Sequence, residues 1–340
     1  MCHYALSKGA IRYETSKFET MAFPAHTLRI GVLTSGGDAP GMNAIIAGAC
    51  EQAGRLGGHA HGINGGFAGL AAGRAEPIGA VEARAHLHES GSWLQTSRWP
   101  ALRTSEGRDA CRAALEALAI DALVVIGGNG SAMGAAALSD DLPVAFVPAT
   151  IDRDVVGTDV TVGMDSAVGY AVDTIDRLRI TGRSLPGRAF LVQTLGAPNG
   201  FLADAVASAA GIDHVLVPER EHDLDEVARA LRELAVNGSA IAVMSEAIGD
   251  AVRIAEELAR RAGIRVHPTI LGHAQRAATP SAQDRTLGQA AGRAAVDALA
   301  QGRSTFIALS AAGAVRSAPL VAGREPATAR ITDDTKERST

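Results

Sequence analysis

A chain of 340 residues is longer than one hydrophobic core usually serves, so two domains sharing an interface are the default expectation. Hydrophobic residues at 47% and charged residues at 20% describe a soluble globular enzyme and exclude a disordered chain, and no apolar run reaches the length of a bilayer span. A formal net charge of -5 excludes the basic stripe that nucleic acid requires; the three cysteines, Cys2, Cys50 and Cys111, suit neither a disulfide framework nor a zinc site, and a reducing cytoplasm fits best.

Residues 1–28 are mixed and polar, without the apolar stretch of a signal peptide, and read as an N-terminal extension in which Met21 is an alternative start. A short apolar strand over 28–34 runs into Ser35-Gly36-Gly37-Asp38-Ala39-Pro40-Gly41-Met42-Asn43, and an Ala-rich helix over 44–56 follows. Strand, glycine turn and helix N-terminus form a phosphate cradle, because glycine lets backbone N–H groups approach an oxyanion and the helix dipole favours it. It is neither a P-loop nor a dinucleotide turn. A glycine-rich connection spans 62–73, and the segment 90–103 carries Arg98 and Arg103 around Trp99-Pro100; by residue type alone these are solvated loop arginines. A helix over 109–119 leads to a strand over 122–126 and a second glycine turn, Gly127-Gly128-Asn129-Gly130-Ser131, so that two turns in one sheet can hold both ends of a polyphosphate.

After a helix over 132–138, the apolar run 142–147 reads as a buried parallel strand that Pro148 ends, which puts Thr150-Ile151-Asp152-Arg153-Asp154 in the loop at its carboxyl end, where open α/β sheets bind ligands. Carboxylates at alternate positions can face one substrate together, although taken alone Asp152, Asp154 and Asp159 read more readily as solvated turn residues, a balance that the rest of the chain reverses. Beyond Gly163 the βα pattern restarts with helix 165–181, strand 189–194, helix 200–210 and strand 214–217. An amphipathic helix over 224–236 buries Leu224, Val227, Leu231 and Leu234 and closes at Asn237-Gly238. Strand 240–244 leads to Ser245-Glu246; helix 250–262, the polar cluster Gly272-His273-Ala274-Gln275-Arg276, helix 282–300, strand 305–309 and a polar tail complete the chain.

The strings Ile30 to Asn43, Ile120 to Gly128 and Thr150-Ile151-Asp152 give the chain a resemblance to the phosphofructokinase family from about Arg29 to Ala311. The resemblance implies an α/β fold of two similar three-layer domains with the active site in the cleft between them. The nucleotide domain is expected over 29–163 plus about 275–303, the sugar-phosphate domain over 164–274 plus about 304–323, and a tail over 324–340. Asp152 is then the general base, with Thr150 and Asp154 beside it and Arg98 across the transferred group. Gly36, Gly37, Arg98, Trp99, Gly128, Asn129, Gly130 and Ser131 match the nucleotide site, with a backbone N–H at Gly36 for the terminal phosphate. Glu246, His273 and Arg276 match sugar-phosphate contacts, and Arg188 matches an arginine lent by a neighbouring subunit of a homo-oligomer, a dimer or tetramer. Mg2+ is the implied cofactor.

The resemblance also has departures. Gly130 and Ala149 stand where the pyrophosphate-dependent branch carries Asp and Lys, which favours ATP as donor. Asn129 replaces the metal-holding Asp, Arg153 replaces Asn, Ala197 replaces an arginine, and His267 stands at a second phosphate-binding arginine, with Arg265 two residues away. Ala47 and Glu51 replace the arginines that bind allosteric effectors, although Arg74 remains, so control by ADP or phosphoenolpyruvate is expected to be weak. The expected activity is ATP-dependent 6-phosphofructokinase; the alternatives are a kinase for another sugar phosphate or alcohol, pyrophosphate as donor, or a catalytically weak binding paralogue.

Overall fold

The computed structural model describes residues 27–236, 238 and 240–320. Its first half runs β1 (Arg29–Ser35), α1 (Met42–Arg55), β2 (His59–Ile63), α2 (Gly66–Ala71), β3 (Ala75–Ile78), α3 (Ala80–Ala85), α4 (Ser105–Ala117), β4 (Ala122–Gly127), α5 (Asn129–Leu138), β5 (Val144–Thr150) and the short β6 (Val162–Gly163). The second runs α6 (Met164–Ser184), β7 (Arg188–Thr194), α7 (Phe201–Ala210), β8 (Val215–Leu216), α8 (Leu224–Ala235), β9 (Ala240–Ser245), α9 (Ala251–Ala262), β10 (Arg265–Ile270), α10 (Ala282–Leu299), β11 (Thr305–Leu309) and β12 (Val315–Pro319).

These elements build an α/β fold on two sheets. The larger, of eight strands, has the order β12-β11-β5-β4-β1-β2-β3 with β6 against β5; the smaller has β10-β7-β9-β8. Among the described residues only the edge strands β3 and β12 run antiparallel. Helices cover both faces of a parallel sheet, so β4 and β5 are buried at every position and their sequences are almost wholly apolar, Thr150 at the end of β5 excepted. One continuous apolar cluster extends from Ile45 and Val147 through Ile175 to Phe190 and Val243, and so joins the layers around both sheets. Among the described residues no helix is long and apolar enough to cross a membrane.

Four sequence expectations are corrected. The 62–73 connection contains the end of β2 and all of α2. Pro148 does not end its strand: it lies opposite Gly127, the last residue of β4, and β5 continues to Thr150 because β6 pairs with Ala149 and Thr150. β10, to which the sequence pattern assigns no strand, forms an edge of the smaller sheet. Residues 305–319 are expected with the second domain, yet β11 pairs with β5 and β12 with β11, so they extend the larger sheet. Asn237 of the α8 cap, residues 1–26 and the tail from 321 lie outside the described residues.

The return of the chain to the first sheet is tight. A Cβ on Gly48 of α1 would lie 2.2 Å from the Gln289 carbonyl oxygen, and one on Gly292 of α10 2.1 Å from that of Ile45, so only glycine lets these helix backbones meet. At the start of α10, the buried carboxylate of Asp284 accepts the Gly163 N–H (2.9 Å) and both the N–H (2.9 Å) and hydroxyl (2.5 Å) of Ser166. It thereby pins the crossing between the two sheets.

Candidate active site

The loops that follow β1, β4 and β5 converge on a cavity of about 840 Å³ at the carboxyl ends of these parallel strands. Gly36, Gly37, Arg98, Trp99, Gly128, Asn129, Gly130, Ser131, Thr150, Asp152, Asp154 and Arg276 all line it, whereas Arg188, Glu246 and His273 do not. Phe67, Leu102, Met133 and Arg108 line it as well. Sequence reading passes over Phe67 because Gly65-Gly66 looks like loop, but those glycines open α2.

The two glycine turns are built as one unit. The Ser131 hydroxyl donates to the Ser35 carbonyl at 3.0 Å, and a Cβ on Gly127 would fall 2.4 Å from both that hydroxyl and that carbonyl. Asn129 and Gly130 open α5, so their N–H groups have no intrahelical partner and face the cavity as anion donors. Gly36 departs from expectation: its N–H already donates to the Ser97 carbonyl at 3.1 Å, so it fixes the Arg98 loop instead of offering a phosphate donor.

Asp152 follows β5 directly. Its N–H donates to the Thr150 hydroxyl, and that hydroxyl donates to Asp152 Oδ2, both at 3.2 Å. Among the described residues Oδ1 is buried without a hydrogen-bond partner, and Arg276 Nη2 is 3.9 Å away. Burial pushes this carboxyl above its ordinary value; Arg276 opposes the shift, and Asp154 and Glu246 add to it. Arg276 itself lies over Gly37 and donates to the Asp38 carbonyl at 3.0 Å, so it bridges the first glycine turn and Asp152.

Asn129 and Asp154 are clipped together: the Asn129 amide donates to the Asp154 carbonyl at 3.1 Å and to its carboxylate at 2.8 Å. With its nitrogen so engaged, the amide of this cavity-lining residue has its oxygen left as an acceptor. Arg153 takes a positive φ of 52° and turns back onto the Asp159 carbonyl at 2.9 Å; Asp159 does not line the cavity.

The remaining predicted residues lie on the second sheet. Glu246 follows β9 and accepts the N–H groups of Gly196 (2.9 Å) and Ala197 (3.1 Å), so backbone holds it at the position that lacks an arginine side chain. His273 is exposed on a short turn fixed by Gln275, which accepts from Leu195 at 2.9 Å and donates to Ala167 at 3.3 Å. Arg188 begins β7, in register with Arg265 at the start of β10, at the end of the strands away from Glu246. His267 packs on Phe190, with ring centroids 5.9 Å apart. On α1, Ala47 is buried, and Glu51 is surrounded by Arg55 (2.7 Å), Arg84 (3.4 Å) and Arg293 (3.5 Å).

The sequence profile described as Phosphofructokinase matches residues 29–299. The chain belongs to the phosphofructokinase family. It is 37% identical to the ATP-dependent 6-phosphofructokinase of Bacillus subtilis (strain 168) over 278 residues, 81% of this chain and 87% of that protein. Against ATP-dependent 6-phosphofructokinase 1 of Thermus thermophilus it is 40% identical over 298 residues, 86% of this chain and 92% of that one. The crystal structure of Pichia pastoris phosphofructokinase in the T-state superposes with a TM-score of 0.80 at 26% identity over 88% of this chain, which spans only 36% of that longer chain. The phosphofructokinase fold thus holds for this chain, with both glycine turns and the Asp152 loop inside the matched region.

Proposed function

We propose that this phosphofructokinase is ATP-dependent and transfers the terminal phosphoryl group to the C1 hydroxyl of fructose 6-phosphate, the first committed phosphoryl transfer of glycolysis in the cytoplasm. The observation that carries the reading is the buried, unpartnered Oδ1 of Asp152 beside two joined glycine turns. A carboxylate raised by burial accepts the sugar hydroxyl proton as the oxygen attacks, and Thr150 orients it. The N–H groups of Asn129 and Gly130 and the Arg98 guanidinium balance charge on the donor phosphates, and phosphoryl transfer needs little beyond such positioning and charge. Arg276 and Glu246 hold the acceptor against Asp152, and His273, outside the cavity lining, is assigned to the acceptor by the family resemblance alone.

Phe67, Trp99, Leu102 and Met133 add apolar lining that suits a nucleoside, and a Cβ at Gly130 would meet open space, so Gly130 leaves room beside it. Both features favour ATP over pyrophosphate. The oxygen donors facing the cavity, the Asn129 amide and the Asp154 carboxylate, fit a hard cation that keeps most of its waters and arrives on the nucleotide. The Asn129 amide and the Asp154 carboxylate would hold Mg2+, which would supply positive charge to offset that of the donor phosphates. Assays of ATP and pyrophosphate against a panel of sugar phosphates test the proposal; turnover only with pyrophosphate, or none with fructose 6-phosphate, overturns it.

A further inference from the structure

We infer that Asn43, a buried residue at the start of α1 that does not line the cavity, is the positioning residue for Arg98; the inference rests on the proposed role of Arg98. Arg98 lines the cavity, yet among the described residues no hydrogen bond or ion pair holds its side chain, so its placement is inherited from the backbone before it. That backbone is stitched to the first glycine turn. Asn43 Nδ2 donates to the carbonyls of Gly91 (2.8 Å) and Glu89 (3.3 Å), and Oδ1 accepts the Trp93 N–H (2.8 Å). The Asp38 carboxylate accepts the Ser92 N–H at 3.1 Å. The Thr34 hydroxyl donates to the Gln95 carbonyl and pairs with the Ser92 hydroxyl, both at 2.8 Å. Thr96 and Ser97 then close onto the carbonyl and N–H of Gly36.

Asn43 is the member of this set whose chemistry is hardest to replace. One group must give protons to two carbonyls and take one from an N–H; a carboxylate cannot donate, a hydroxyl has one proton, and an apolar group does neither. The side chain is 1% exposed, so water cannot supply the missing partners. The arrangement also makes one turn serve two tasks, because the segment that begins with the phosphate-side glycines sets where Arg98 sits. Gln95, three residues before Arg98, is held at a positive φ of 56°, a strained conformation that surrounding contacts must sustain.

The test is a double-mutant cycle read as kcat and KM at saturating Mg2+ with ATP and fructose 6-phosphate. Asn43→Ser is expected to lower kcat roughly 10- to 100-fold, with KM for ATP changed less than about threefold. In an Arg98→Ala background the same substitution is expected to change kcat less than about twofold, since the guanidinium it positions is gone. Equal losses from Asn43→Ser in both backgrounds, or wild-type kcat in the single variant, overturn the inference while leaving the role of Arg98 intact. Near wild-type kcat in Arg98→Ala alone removes that role, and the inference with it. If Asn43→Ser does not fold, Thr34→Val, which keeps shape and removes the hydroxyl that holds Ser92 and Gln95, carries the same cycle with the same outcomes.

Discussion

Asp152 combines a buried, unpartnered oxygen with a cation at 3.9 Å, and the balance between them sets its proton affinity. Asp152→Asn removes the proton acceptor but keeps the shape, so turnover is expected to fall roughly 10²- to 10⁴-fold with nucleotide binding retained; unchanged turnover removes it from the mechanism. On the proposed role the carboxylate form is the proton acceptor, and burial raises its pKa, so activity is expected to be lost as pH falls through a value above the ordinary 3.8. Arg276 lowers that value, whereas Asp154 and Glu246 raise it; Arg276→Met is therefore expected to move the acid limb of the kcat/KM profile to higher pH. An unmoved or lower limb contradicts the assigned pairing. Asn129→Asp would set a second carboxylate where an amide now donates to Asp154 at 2.8 Å, and a cation relieves that repulsion. The variant is expected to need less Mg2+ for half-maximal activity and, without nucleotide, to gain thermal stability from Mg2+ that the parent does not gain. A melting temperature indifferent to Mg2+ in both proteins refutes this.

At the scale of elements, the Asp284 contact shows how one side chain connects two others. Asp284→Asn replaces an acceptor with an amide facing donors at Gly163 and Ser166, and is expected to cost about 3 kcal/mol, read as a lower denaturation midpoint; a loss below about 1 kcal/mol contradicts the pin. Strands buried on both faces were legible in the sequence: β1, β4, β5, β7 and β9 are apolar runs, and α8 and α9 have clear apolar stripes. β2 was not, because His59, His61 and Gly62 interrupt its pattern, and β3 and β10 carry Pro77 and Pro268 on edge strands, where a missing N–H is tolerated. The Asp152 loop and both glycine turns were legible because each follows a strand. The clip between Asn129 and Asp154, 25 residues apart, and the backbone grip on Glu246, 50 residues from Gly196, arise only when the strands align. The partner of β11 was hidden for a related reason: an apolar strand does not name the sheet it joins.

At the scale of the whole molecule, Arg188 lies at the start of a seven-residue strand, about 20 Å from the end of β7 that faces the site, so it cannot serve the acceptor of its own chain. Mixing Arg188→Ala with Asp152→Asn protein is expected to restore part of the lost activity through hybrid sites of a homo-oligomer; no recovery after subunit exchange is verified by native mass spectrometry defeats the shared-site reading. The glycine crossing of α1 and α10 bears on biosynthesis. The smaller sheet is contiguous in sequence between Arg188 and Ile270, whereas the larger one lacks α10, β11 and β12 until the ribosome has passed residue 319. The region synthesised first is thus completed last, and the nascent chain carries an uncovered face of α1 and an unpaired edge of β5 for most of translation. In this protein the amino-terminal half depends for its final packing on residues that are synthesised only after the whole of the smaller sheet.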